Sequence, residues 1–132
     1  MKVVFDTNVL ISAFLTTTGP SQYVLTVALK RHAVILSEYI IEEFERKLIH
    51  KIRIPHDVVA KAISFLRKRV IVLDIKQASK IDFSDKKDIP ILDLLEKSQA
   101  NYLITGDKKL VGLKKWESAL ILTPREAMRA LE

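Results

Sequence analysis

Four acidic positions lie beside short apolar runs or within an apolar helical stripe. Asp6 ends "MKVVFD", Asp107 follows "NYLITG", Asp88 stands directly before "IPIL", and a glutamate lies within "SEYIIEEFERKLI". Singly, each has an ordinary structural reading. Asp6 and Asp88 can cap the helices they precede, where an acid also suits the positive end of the dipole, and Thr105-Gly106-Asp107 can be a turn. Together they suggest chemistry. Carboxylates that converge repel one another and raise each other's pKa. A bound cation relieves that conflict, and oxygen-only donors suit Mg²⁺ or Mn²⁺ over softer metals. In a basic chain, such a centre fits phosphodiester hydrolysis, in which metal polarises the scissile phosphate and Lys or Arg hold its neighbours.

The elements that must position these acids are legible as an alternation. The β-branched runs "KVVF", "AVIL", "VIVLDI", "NYLIT" and "ALILT" are nearly continuous in apolar residues, as strands buried on both faces should be. Between them the spacing predicts helices over Thr7–Leu15, Ser21–Arg31, Glu38–Ile52, His56–Lys68, Asp88–Ser98 and Pro124–Leu131. Strands alternating with helices imply a mostly parallel sheet with helices on both faces. Asp6 and Asp107 then fall at the carboxyl ends of parallel strands, where open α/β sheets place their sites. Asp88 shares the inward stripe of Ile91, Leu92 and Leu95, whereas Asp93 falls on the opposite, solvent side. In the glutamate-rich helix the buried stripe is Ile40, Ile41, Phe44 and Leu48. Glu42 points farthest from it, and Glu43 and Glu45 flank it on opposite sides, which periodicity does not separate.

Composition bounds the rest. With 132 residues, 48% hydrophobic content and few glycines and prolines, the chain reads as one globular domain over residues 1–132. The formal net charge of +6 favours a polyanionic partner such as nucleic acid. There is no cysteine, which removes disulfides and thiolate catalysis and fits a reducing cytoplasm. No signal-like start and no run long enough to span a membrane is visible. Walker and dinucleotide fingerprints are missing. The Asp-Thr-Asn after the first strand departs from the Asp-x-Asp of haloacid-dehalogenase-like phosphatases. A phosphorelay receiver would carry a lysine where this fifth strand ends in Thr123-Pro124.

The ordered set "VVFDTNVLISA", "SEYIIEEFERKL", "DKKDIPILDLL" and "NYLITGDKKL" resembles the PIN-domain nucleases, from the first strand through Leu110, and "ILTPREAMRAL" resembles their closing strand and helix. Within that family the sequence is most similar to the small prokaryotic proteins of VapBC-type toxin–antitoxin systems. The resemblance implies a three-layer α/β fold around a parallel sheet of about five strands in the order 3-2-1-4-5. It implies Mg²⁺- or Mn²⁺-dependent RNA cleavage, with Asp6, Glu43, Asp88 and Asp107 as the acids that hold metal and catalyse. Asn8 and Thr105 match assisting polar positions, and Asp85 is a rival to Asp88. Lys108 and Lys109, beside Asp107, and Lys86 and Lys87, before Asp88, are the candidates for phosphate contact. The expected partners are RNA, a small antitoxin and a second copy of the chain, in the cytoplasm. A PIN scaffold that binds RNA or protein without turnover and a structure-specific DNA nuclease are the competing readings. The histidines at 32, 50 and 56 have no ligand-like spacing, Arg67-Lys68-Arg69 suits a helix end, and Trp116 suits packing.

Overall fold

Strand β1 (Lys2–Phe5) forms the centre of the sheet because Val3, Val4 and Phe5 are apolar in succession and fully buried. The computed structural model describes residues 1–75, 83 and 85–132. After β1 come α1 (Thr7–Leu15), α2 (Pro20–Arg31), β2 (Ala33–Ser37) and α3 (Glu38–Arg46), which runs on as a π-helical stretch, Lys47–Lys51. Then follow α4 (His56–Arg69), β3 (Ile71–Leu73), a 3₁₀ turn at Lys86–Asp88 and α5 (Ile89–Ser98). The chain ends in β4 (Tyr102–Ile104), α6 (Lys108–Leu113), β5 (Lys115–Trp116), β6 (Ala119–Leu122) and α7 (Pro124–Ala130). Asp82 and Ser84 of "DFSDKKDIP" lie outside the described residues.

The sheet order is β3-β2-β1-β4-β6-β5, with every pair parallel except β5 and β6. The parallel part is the expected 3-2-1-4-5 arrangement, its fifth member being β6. The expectation of about five strands is corrected to six among the described residues: Lys115–Trp116 folds back on Leu120 and Ala119 as an antiparallel edge. Its turn places Glu117 at φ 53°, with neither the glycine nor the asparagine that usually marks such a reversal. A two-residue strand also has no readable period.

Helices match where their stripes are clear. The expected buried face of α3 and its extension is present, with Ile40, Ile41, Phe44 and Leu48 all buried. The single helix expected over Glu38–Ile52 instead changes to π geometry at Lys47. Helix α6 was not expected, since six residues with an internal Gly112 carry little periodicity; its start is capped by Asp107, which accepts from the Lys109 N–H. Asp93 requires correction. It is buried, with 4% exposure, and Lys97 one turn later supplies its counter-charge at 3.2 Å. The wheel missed this because α5 is enclosed on more than one side, with Leu94 as deeply buried as Leu92 and Leu95.

Other basic and aromatic residues settle into structural roles. Arg67 makes a bidentate pair with Glu38, both bonds 2.9 Å, tying α4 to the start of α3. Arg69 lies 3.9 Å over the Phe65 ring. Trp116 packs edge-on against Phe83. His32 Nε2 is 3.0 Å from the Leu131 carbonyl oxygen. Among the described residues, no helix is long and apolar enough to cross a membrane.

Candidate active site

Strands β1 and β4 are neighbours, yet the chain leaves β1 toward β2 on one side and reaches β4 on the other. This is the sheet's topological switch point, and its carboxyl edge opens a crevice. Asp6 closes β1: its N–H donates to the Ile104 carbonyl at 2.9 Å, extending the β1–β4 ladder by one bond. Asp107 comes three residues after Ile104. A cleft of about 160 Å³ at this edge is lined by Asp6, Asn8, Glu43, Asp85, Asp88 and Asp107, with Thr7, Tyr39, Ile40, Lys47, Lys87 and Ile91 completing the wall.

Asp6 resolves the ambiguity of the opening stretch by doing two things at once. One carboxylate oxygen accepts from the Thr7 N–H at 2.8 Å, capping α1. The other accepts from the Thr105 hydroxyl at 2.7 Å. Thr105 is fully buried, and its hydroxyl oxygen accepts from the Asp107 N–H at 3.0 Å. One hydroxyl thus ties the two strand-end acids together. Burial raises the Asp6 pKa, assisted by the charges of Glu43 and Asp107, while the Thr105 and Thr7 hydrogen bonds pull it down.

Asp88 does not act as the cap that its position suggested. It precedes α5 without a side-chain capping bond, and its Oδ2 is buried with no hydrogen-bond partner among the described residues. Its pKa is raised to about 6, first by burial and then by the charges of Asp107, Asp85 and Asp6. Asp85, its sequence rival, is differently occupied. It accepts from the Lys87 N–H at 3.1 Å, capping the 3₁₀ turn, and from the Lys109 ammonium at 3.1 Å. The Lys109 hydrogen bond is the main reason that its pKa is lowered.

Glu43 lies half-buried on the cleft wall, whereas Glu42 and Glu45 are exposed and do not line it. Asn8 accepts from the Lys47 ammonium at 3.2 Å. Of the lysines named from sequence, Lys87 lines the cleft, Lys109 pairs with Asp85, and Lys86 and Lys108 are exposed without lining it. Lys47 and Tyr39 also line it and were missed. Both sit four residues from Glu43, and that helical spacing was the available signal.

The donor set suits a hard divalent cation in kind: it is all oxygen, several charges repel, and one buried carboxylate oxygen has no hydrogen-bond partner among the described residues. Among the described residues, no three acid or histidine side chains stand as a ready-made coordination site. The fit is therefore one of donor type and shared location.

Thr105 gives a direct test of how the acids are held. Thr105→Val keeps the shape but strands Asp6 Oδ2 and the Asp107 N–H, and is expected to cost about 1–3 kcal/mol of stability. Urea denaturation measures this, and a Thr105→Ser variant that retains the hydroxyl should lose less.

A PIN-domain family model matches residues 2–109, most of the chain, and the protein belongs to the PIN-domain family. Among solved structures, the fold is similar to a chain in the crystal structure of VapBC2 from Rickettsia felis bound to a DNA fragment from their promoter. That match has a TM-score of 0.68 at 13% identity, covering 93% of this chain and 98% of that one. No curated protein sequence matches the chain.

Proposed function

We propose that this PIN-domain protein is a metal-dependent endoribonuclease, acting as one domain in the cytoplasm, and the toxin of a toxin–antitoxin pair. The observation that carries the reading is the Asp6–Thr105–Asp107 linkage at the switch point, with Glu43 and Asp88 on the same cleft. A chain of +6 net charge whose cleft is acidic is suited to a polyanion that meets a cation there.

Asp6, Asp88 and Asp107 are the residues that would hold Mg²⁺ or Mn²⁺, with Glu43 as a further ligand or a base that orients water. The ion, when bound, polarises the scissile phosphoryl group and lowers the pKa of an attacking water. The protein supplies the positioning. Thr105 fixes the Asp6 carboxylate in its capping orientation, so that it is presented to the cleft without a rotamer search. Asp85 caps the turn that delivers Asp88, and its bond to Lys109 joins that turn to α6, which Asp107 caps.

The toxin reading draws on the likeness to the VapBC2 structure. A small antitoxin and a second copy of the chain are the proposed protein partners. Helices α1 and α2 leave Leu15 and Tyr23 exposed, while Val9, Leu10, Val24 and Leu25 serve the core.

The test is cleavage of labelled single-stranded RNA by the purified protein, with Mg²⁺ or Mn²⁺ and with chelator, against single-stranded and branched DNA as competitors. RNA cleavage that requires the metal supports the proposal. Preference for DNA would make it a DNA nuclease, and RNA binding without cleavage would make it a binding module.

A further inference from the structure

We infer that Lys47 is a phosphate-binding residue of this cleft, placed to take the non-bridging oxygens of an RNA phosphodiester; the inference rests on the ribonuclease reading above. The phosphate-contact lysines expected from sequence lie beside Asp107 and before Asp88. Lys47 comes from a different element, at the point where α3 passes into π geometry. Its ammonium is 3.2 Å from Asn8 Oδ1 and 3.9 Å from Glu43 Oε2. The first is a hydrogen bond; the second is too long for one and is a looser charge contact.

An ammonium has three N–H donors. Here one goes to a neutral amide oxygen and, among the described residues, none makes a short bond to a carboxylate, so Lys47 stays able to receive a stronger anionic acceptor. It differs in this from Lys109, whose ammonium is hydrogen-bonded to Asp85 at 3.1 Å. It differs from Lys86 and Lys108 in lining the cleft. Its side chain is 28% exposed, against 64% for Lys109. Being held by Asn8, the ammonium loses less freedom when a phosphate arrives. A polyanion entering past carboxylates needs compensating charge at the rim. Lys47 supplies it from the end of α3, and Lys87 from the turn before α5.

A plain i,i+4 ion pair with Glu43 would predict no role in RNA binding, and this separates the two. The probe is a fluorescently labelled single-stranded RNA, with affinity measured across a salt series by anisotropy in an Asp6→Asn background that blocks cleavage. Adding Lys47→Met is expected to weaken binding about tenfold near 0.1 M salt and to reduce the slope of log K against log salt by about 0.7, the release expected for one phosphate contact on a single strand. Lys47→Arg should restore most of the affinity and the slope. In the wild-type background the effect should fall on KM more than on kcat, and circular dichroism should show the folded state for each variant. Unchanged affinity and slope in Lys47→Met overturn the assignment. So does tighter Mn²⁺ binding with RNA affinity unaltered, which would make Lys47 a stand-in for the metal. If the parent protein neither binds nor cleaves RNA, the ribonuclease reading falls and takes this one with it; if it does both regardless of Lys47, only this one falls.

Discussion

Asp6→Asn is expected to lower metal-dependent RNA cleavage by about 10³-fold or more while leaving stability within about 1 kcal/mol of the parent. The two halves of this prediction have separate causes. Asparagine keeps an oxygen to accept from the Thr7 N–H, so the α1 cap survives. It also relieves a buried charge whose pKa burial has already raised. Its amide cannot replace the carboxylate oxygen that Thr105 now holds, and a neutral amide is a poor ligand for a hard cation where charge is needed. Cleavage rate and a thermal melt on the same preparation measure both. Loss of cleavage together with collapse of the melt would mean that Asp6 is chiefly a cap, and retained cleavage would remove it from the site.

Asp88 should reveal itself through pH and metal together. Its pKa in the folded protein is about 6, above the ordinary 3.8. A raised carboxyl pKa contributes stability that is present below the unfolded value and is lost as pH rises through the folded one. Metal-free protein should therefore lose stability from this group between about pH 4 and pH 7. Because the residue is only partly buried, the full shift overstates the cost, and about 1 kcal/mol is the expected size. Asp88→Asn should then raise the metal-free Tm at pH 8 by about 3–5 °C and change it little near pH 4. Divalent ion should reverse the order. At a concentration of about 100 Kd it should stabilise the wild type by about 2.7 kcal/mol at pH 8. The gain should shrink below pH 6 as protons compete, and most of it should be missing in Asp88→Asn. Differential scanning calorimetry with and without Mn²⁺ at the two pH values checks the pattern, and equal Mn²⁺ stabilisation of both proteins would exclude Asp88 as a holder of the ion.

What could be read beforehand followed the strength of the local signal. The run Val3-Val4-Phe5 against Asp6-Thr7-Asn8 marked a buried strand feeding a helix, and both β1 and α1 have the expected bounds. Asp6 reads from sequence as either a cap or a site residue; the cap is present, and its second oxygen is held by Thr105, a contact that the local sequence does not show. Asp88 was legible as inward from the stripe of α5, but its lack of a capping bond was not. That depends on Asp85 having taken the capping position of the turn before it. Asp93 escapes the wheel because a wheel ranks the faces of one helix and cannot show that more than one face of α5 is buried.

Pairings across the chain were hidden for a different reason. Lys109 reaches Asp85 and Thr105 reaches Asp6 only after the strands have been ordered, and no spacing encodes either contact. Lys47 is the exception, because it stands one helical turn beyond Glu43 and was within reach of an i,i+4 argument. The edge strand β5 and the short helix α6 went unseen because neither is long enough to show a period.

The central claim is that the acids gathered at the β1–β4 edge bind a divalent ion. Crystals of the protein soaked in Mn²⁺ and measured for anomalous scattering test it most directly. The account predicts a peak inside the cleft, within coordinating distance of Asp6, Asp88 and Asp107, and its disappearance in Asp6→Asn. A cleft with no peak at saturating Mn²⁺, or an ion held elsewhere in a protein that still cleaves RNA, would contradict it.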